Sequence, residues 1–517
     1  MEDLNWFVLA ITLLFIIITT LQLHQHISKK YNKNKKNRPP SPPSLPIIGH
    51  LHMLKPPVHK TLHEISTKHG GVQMLKLGTR NMLLISSPLA VEECLVKNDA
   101  IFANRPNTLA GRIFHYNNTS MAFSPYNDHF RTLKRLMTQE VFSSTHILRF
   151  SAIRQDEVRL LLEDLWQGTG DKLLKVDLNK CFNDLALNIM TRMTAGKRYY
   201  GKGVDSKEGE QFAKLLNEGS VLSGAGNPGD YIPLFKWLFR GHEKAMVAWM
   251  NKTDCFYQRL LDERNAMNTD DMGTTTTTTT TKAIIDVLIS AQEQNPNFFT
   301  NDVIKGMIMV LVLAGAHTSA ATMEWAMSLL LNHPKALHKA QEEIDGVIGR
   351  DRLVNEDDIS KLPYLQNVIN ETLRLYPPTP LLLPHESSED CTICGYDIPK
   401  GTMLMVSLWT LHRDPKYWSE PEKFVPERFE GKEGETVYKL IPFGLGRRAC
   451  PGYAMSKRAV GLVLGSLLQC FDWERPGPEL IDMDQSSGIT MPKNVPLKAL
   501  CKVRPSVYEM LSIEKQM

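Results

Sequence analysis

The sequence has no paired-cysteine framework. Its eight cysteines, at positions 94, 181, 255, 391, 394, 450, 470 and 501, are scattered over 517 residues. That excludes a small disulfide-stapled secreted domain and fits free thiols in a reducing compartment. Cys391 and Cys394 form one Cys-x-x-Cys without the second pair a zinc site needs, so they read as two ordinary strand thiols. Strong net charge is missing too. The formal charge is +4, which offers nucleic acid no broad basic surface. No internal repeat is visible, so solenoids and propellers drop out. The remaining composition, 42% apolar and 22% charged, suits one large globular domain or two or three smaller ones.

One stretch lacks charge altogether. Leu4 to Leu23 contains no Asp, Glu, Lys or Arg. As a helix it would be roughly 30 Å long, enough to cross a bilayer. Lys29, Lys30, Lys33, Lys35, Lys36 and Arg38 follow it, and basic flanks stay cytosolic. No small-residue cleavage site follows either. The expectation is a retained single-pass anchor over 1–24 and a main domain over 47–517 on the cytosolic side. Between them, residues 25–46 form a basic linker stiffened by Pro39, Pro40, Pro42, Pro43 and Pro46. On that side of a membrane Asn117, Asn118, Asn251 and Asn370, each in an Asn-x-Ser/Thr triplet, stay unglycosylated.

Gln73 to Ser87 alternates around Gly78 and reads as a hairpin. From Leu89 the pattern is largely helical. Thr274 to Thr281 is an unbroken threonine run, read as a solvated loop between helices. Asp302 to Asn332 is apolar on nearly all faces, which marks a central helix. At its middle stand Ala314, Gly315, Ala316, His317, Thr318 and Ser319. Ala314 and Thr318 are four apart and share a face. Gly315 weakens the helix, so something is expected to pack against its backbone. Glu371 and Arg374 lie three apart on a later helix. Leu381, Leu382, Leu383, Pro384 and His385 then form an extended run, and Pro426-Glu427-Arg428-Phe429 follows.

The densest pattern is Pro442 to Gly452, where three glycines crowd around Cys450. An apolar helical run begins at Tyr453. A helix N-terminus favours an anion and lowers a nearby thiol pKa. Alone, Cys450 would read as a small buried hydrophobe. The pattern Phe443-x-x-Gly446-x-Arg448-x-Cys450-x-Gly452 instead resembles the haem-thiolate signature of the cytochrome P450 family. Ala314-Gly315-x-x-Thr318, Glu371-x-x-Arg374 and Pro426-Glu-Arg428-Phe stand before it in that family's order. The likeness runs from about residue 40 to 505. Within the family the chain is similar to plant microsomal members of the group of isoflavone 2'-hydroxylases and sesamin synthases. Gly226-Asn-Pro-Gly-Asp-Tyr-Ile-Pro233, Ser319 to Trp325, Leu381 to His385 and Gly444 to Gly452 carry that likeness.

The resemblance implies a mainly α fold with small β-sheets and haem (iron protoporphyrin IX) as cofactor. It implies Cys450 as the metal ligand and Thr318 as the hydroxyl that helps deliver protons to dioxygen. Phe443, Gly446, Arg448 and Gly452 would shape the haem site, with Arg448, His385 and Lys134 toward the propionates. Glu371, Arg374 and Arg428 would form a buried ion network. Phe114, in a loop near Arg112 to His115, would line the substrate pocket with Ala314, Leu381, Leu382 and Ile489. Electrons would come from NADPH through a flavoprotein reductase docked near Lys134, Arg135, Arg447, Lys457 and Arg458. The expected setting is the endoplasmic reticulum membrane. The expected reaction is hydroxylation of a small apolar plant metabolite such as a phenolic, lignan or terpenoid, with O₂. Methylenedioxy-bridge formation or oxidative cleavage is the alternative, and a haem-binding protein without turnover is the alternative of another class.

Three positions depart from the family pattern. Phe130 and Lys134 stand where the family has Trp and Arg, so an indole N–H and a guanidinium fork are lost. His317 stands where an acid usually precedes the threonine. It is a candidate proton relay next to Thr318, or a packed core histidine, or a lost negative charge that marks weak oxygen activation.

Overall fold

A computed structural model of the chain describes residues 37–505, apart from 170–171, 205, 225–226, 271–281, 432–435 and 487, together with Thr12, Phe15 and Thr19. The expected anchor and the threonine run therefore lie outside the described residues. The protein is 57% helical, as the mainly α expectation requires.

The helices that position the site are α1 (Val58–His69), α2 (Leu109–Phe114), α3 (Asp128–Glu140), α4 (Ser151–Thr169), α5 (Leu178–Ala195), α6 (Arg240–Asp270), α7 (Asn301–Asn332), α8 (Pro363–Leu375) and α9 (Tyr453–Cys470). The central one is α7. The Thr300 side chain accepts from the Val303 N–H at its start. It stops at His333, because the residue before a proline is pushed out of the helical region. Among the described residues α7 is the one helix apolar and long enough to cross a membrane. Its burial from Val303 to Met309 and again from Ala320 to Leu331 makes it the core instead. Next to it runs α5, capped by the Asp177 side chain and ended by Gly196 in the left-handed region. The notch expected at Gly315 is real, and Met190 of α5 fills it: a Cβ at Gly315 would lie 2.5 Å from the Met190 Sδ. The buried half of α9, Val460 to Cys470, completes the core.

The strands stand outside this helical body. One sheet has the order β1-β2-β7-β4, with β1 (Val72–Leu77), β2 (Arg80–Ile85), β4 (His385–Glu386) and β7 (Met403–Val406). Its β1–β2 pair is the expected hairpin, and the turn needs Gly78 at a φ of +55°. A second sheet runs β3-β9-β8, from β3 (Leu174–Asp177), β8 (Phe471–Glu474) and β9 (Lys498–Val503). The third is the hairpin β5 (Cys391–Ile393) and β6 (Tyr396–Ile398). Cys391 is on a strand as expected. Cys394 is in the turn, at a φ of +48°, because a two-residue hairpin connection needs left-handed residues.

Candidate active site

A cavity of about 330 Å³ opens between α3, α5, α7 and α9. One wall is the α7 stripe Val310, Leu311, Ala314, Gly315, Thr318, Ser319, spaced as one helical face demands. Facing it is the loop Pro442 to Gly452. Leu382, Leu383 and His385 close a third side.

The loop is held rigidly. Gly444 and Gly446 have φ of +67° and +70°, which only glycine adopts readily. At Gly446 a Cβ would also come within 2.4 Å of Asp99 Oδ1. The Arg447 N–H and guanidinium donate to Asp99 at 2.9 and 2.7 Å. The Cys450 N–H donates to the Phe443 carbonyl at 2.8 Å, closing the loop. Cys450 opens onto the cavity while protein surrounds it on the other sides. The thiol differs from the sequence expectation: burial pushes its pKa up, and the Gly452 N–H only partly opposes that. α9 begins at Tyr453, beyond a turn through Pro451 and Gly452, so desolvation outweighs the helix terminus.

At one edge of the cavity stand partly buried cations. Arg448 donates to the carbonyls of Ala103 at 2.7 Å, Met121 at 3.1 Å and Ser124. Arg105, which the sequence reading missed, donates to the carbonyls of Ala122 at 3.0 Å, Leu383 at 2.7 Å and Pro384 at 2.8 Å. Burial lowers the Arg105 pKa to about 9, helped by the charge on Arg448, and burial alone lowers Arg448 to about 10. His385 Nδ1 bonds the Phe102 carbonyl at 2.7 Å. Burial, then Arg105, hold its imidazole well below the ordinary range. Lys134 donates to the Arg447 carbonyl, and burial lowers its pKa as well. Among the described residues neither Arg105 nor Arg448 pairs with a carboxylate. Partly buried guanidiniums without a carboxylate suit an anionic partner. Phe130 contributes here too: the Arg448 guanidinium sits 3.7 Å above its ring. What the sequence suggested was a lost donor is in the fold a cation–π platform.

On α7 the Thr318 hydroxyl donates to the Ala314 carbonyl at 2.6 Å, and Thr322 donates to the Thr318 carbonyl at 2.8 Å. His317 is absent from the cavity wall. Burial lowers its pKa and keeps it neutral.

Behind the site, Glu371, Arg374 and Arg428 come together. Arg374 forks onto Glu371 at 2.7 and 2.9 Å, and Arg428 reaches the same carboxylate at 2.9 Å. Glu371 and Arg374 are fully buried. Arg374 also donates to the carbonyls of His412 at 2.8 Å and Pro421 at 2.7 Å, just ahead of the cysteine loop.

Phe114, Leu381 and Ile489 do not reach the cavity. Phe114 turns its ring onto Trp249, with centroids 4.7 Å apart. Leu381 bridges Ser407 and packs beside the β1–β2–β7 sheet core. Its neighbours Leu382 and Leu383 line the cavity instead. Ile489 is 43% exposed. Of the expected docking charges, Arg447 is paired with Asp99 and Arg458 lies 3.7 Å from Asp357.

A thiol on the floor, apolar walls, a helix carrying a hydroxyl, and paired cations for two carboxylates at one edge fit a haem and its propionates. The fold and site thus define a haem-thiolate protein. The chain belongs to the cytochrome P450 family, whose model matches residues 39–498. It is 48% identical to cytochrome P450 81Q32 of Catharanthus roseus, over 90% of this chain and 92% of that one. It is 44% identical to (+)-piperitol/(+)-sesamin synthase of Sesamum radiatum, over 90% of each. With the isoflavone 2'-hydroxylase of Glycyrrhiza echinata the identity is 42%, over 90% of this chain and 92% of that one. The protein is a monooxygenase that binds haem and takes electrons from NADPH through a reductase.

Proposed function

We propose that this chain hydroxylates a small, largely apolar plant metabolite, of phenolic, lignan or terpenoid type, in the cavity above Cys450. The observation that carries this reading is the cavity wall, where Val310, Leu311, Ala314, Pro378, Leu382 and Leu383 face the space. Apart from the cations at one edge, the His385 imidazole and Arg154, which is paired with Glu356, the polar side chains of the wall are hydroxyls and one thiol, so orientation rests on shape and a few hydrogen bonds. When bound, haem supplies the activation and insertion of oxygen. The protein's own work is to hold it, orient substrate, exclude water and move protons.

In this reading the Cys450 thiolate would ligate the haem iron, and Arg105, Arg448, His385 and Lys134 would hold the propionates. Phe443, Gly446 and Gly452 keep the loop close and unobstructed. Thr318 passes a proton into the cavity by turning its hydroxyl from the Ala314 carbonyl. His317, off the cavity wall, acts as a packed core residue. The Glu371–Arg374–Arg428 network keeps the loop in register.

The 44% identity to a sesamin synthase supports a second reading, ring closure to a methylenedioxy bridge. A membrane setting, with the anchor over 1–24 and the domain over 47–517 in the cytosol, is also part of the proposal. Exposed apolar side chains support it: Ile47, beside the end of the linker, Leu234 and Trp237 are 68%, 76% and 61% exposed. Hydrogen bonds from Gly78 to Ile48 and from Thr79 to Tyr231 tie these stretches into one patch.

The test is reconstitution with a plant reductase and NADPH, with phenylpropanoid, flavonoid, lignan and terpenoid panels read by mass spectrometry. A product heavier by one oxygen supports hydroxylation. A product lighter by two hydrogens points to ring closure. NADPH consumption with no product from any panel would overturn the proposed substrate class.

A further inference from the structure

In the buried half of α7 stand Glu324 and Trp325, 3% and 0% exposed. Asn332 follows at the helix end. All three side chains turn to one stretch, the chain between β8 and β9. Asn332 takes its start, exchanging two hydrogen bonds with the Ile481 backbone at 2.8 and 3.0 Å. Glu324 takes its end: the carboxylate accepts from the Leu497 N–H at 2.8 Å and from Asn179 of α5 at 2.9 Å. Trp325 takes the middle, where its indole N–H donates to the Met491 carbonyl at 2.9 Å.

The middle contact leads to the cavity. The Met491 N–H donates to the Pro378 carbonyl at 2.8 Å, and Pro378 and Thr379 are part of the cavity wall. The Trp325 ring also stacks on Tyr376, with centroids 4.1 Å and planes 13° apart. Tyr376 stands two residues before Pro378. One indole thus fixes the Pro378–Thr379 wall twice, by its face through Tyr376 and by its N–H through Met491. A buried N–H that loses its partner is costly, so the indole and the Met491 carbonyl hold each other in place. Trp325, Tyr376 and Met491 are themselves absent from the cavity wall, so they act on it from behind.

We propose that Trp325 is a positioning residue for this cavity, setting the wall at Pro378 and Thr379 against which a ring-bearing ligand is placed. Glu324 and Asn332 fasten the two ends of the β8–β9 connection, and Trp325 couples its middle to the wall. The helix that presents Thr318 and Ser319 to the cavity thereby also fixes a second wall. The inference rests on the reading that ligands occupy this cavity above a haem, and its test does not need the oxygenase reaction.

The test titrates the haem-loaded protein with two azoles, imidazole and 4-phenylimidazole, read by the shift of the Soret band. Imidazole is small enough to bind without leaning on that wall, whereas the phenyl ring of the larger azole must be placed between the walls. Trp325→Phe keeps an aromatic face for Tyr376 and deletes the N–H. The Kd of 4-phenylimidazole should rise about fivefold, or about 1 kcal/mol, while that of imidazole should change by less than about twofold. Hydrogen exchange gives the local signature. The Met491 amide should exchange faster, while the Ile481 and Leu497 amides, held by Asn332 and Glu324, should not. Tyr376→Leu removes the other half of the stack, leaves Trp325 in place and should weaken 4-phenylimidazole in the same selective way. That variant decides the matter if Trp325→Phe does not load haem. Unchanged or tighter 4-phenylimidazole binding, an equal loss for both azoles, or faster exchange at all three amides alike would overturn the assignment. Absence of NADPH-driven product would sink the proposed function and leave the azole selectivity untouched.

Discussion

At the residue scale, the sequence reads well where chemistry is local and badly where it is assembled. Cys450 and its glycines lie within one short pattern, and Glu371 and Arg374 are three apart on one helix. Arg105 left no such mark. It is a single arginine between Asn104 and Pro106, and its partners Leu383 and Pro384 are 278 and 279 residues away in sequence. Phe130 shows the opposite error, since a side chain scored by its missing N–H has a face as well. That face carries a prediction. Phe130→Leu removes the platform under Arg448, worth about 0.5–2 kcal/mol. Haem should pass to a scavenging apo-globin several-fold faster, while Phe130→Trp, which keeps an aromatic face, should not speed the loss. Equal rates for Phe130→Leu and the unaltered protein would mean that Arg448 needs no platform.

At the element scale, periodicity found α7 and predicted that something lies against Gly315, but nothing in a sequence names Met190 as that neighbour. The extended run 381–385 shows a related gap. Its apolar character is legible, whereas its register, which turns Leu381 away and Leu382 inward, is fixed only by pairing with Ser407. The ion network is the element-scale feature with the largest expected effect. Glu371→Gln removes the only carboxylate, among the described residues, shared by two arginines that are buried or nearly so. Breaking a buried pair in that way costs about 3–5 kcal/mol. The urea midpoint should fall accordingly, and haem occupancy after expression should drop. A loss below about 1 kcal/mol would show that backbone carbonyls alone satisfy Arg374 and Arg428.

At the scale of the whole molecule, the fold buries several histidines as neutral groups. Burial lowers His59 to about 4, and His115 and His412 to about 3. The unfolded chain binds a proton at each of these sites below about pH 6.5, and the folded protein resists until those lower values. Their contribution is therefore fully present above pH 6.5 and is lost as pH falls toward 4 and 3. The His59 share alone is on the order of 3 kcal/mol, at 1.36 kcal/mol per pKa unit. Urea midpoints measured from pH 7 to pH 5 should decline, and His59→Gln should flatten the decline. A midpoint that holds level to pH 5 would show that these histidines are protonated in the folded state. The account as a whole turns on Cys450 as the axial ligand, and the most direct measurement is the spectrum of the reduced, carbon-monoxide-bound protein. The unaltered protein should show the red-shifted Soret band of a thiolate haem, and Cys450→Ala should lose it. Persistence of that band in Cys450→Ala would contradict the account.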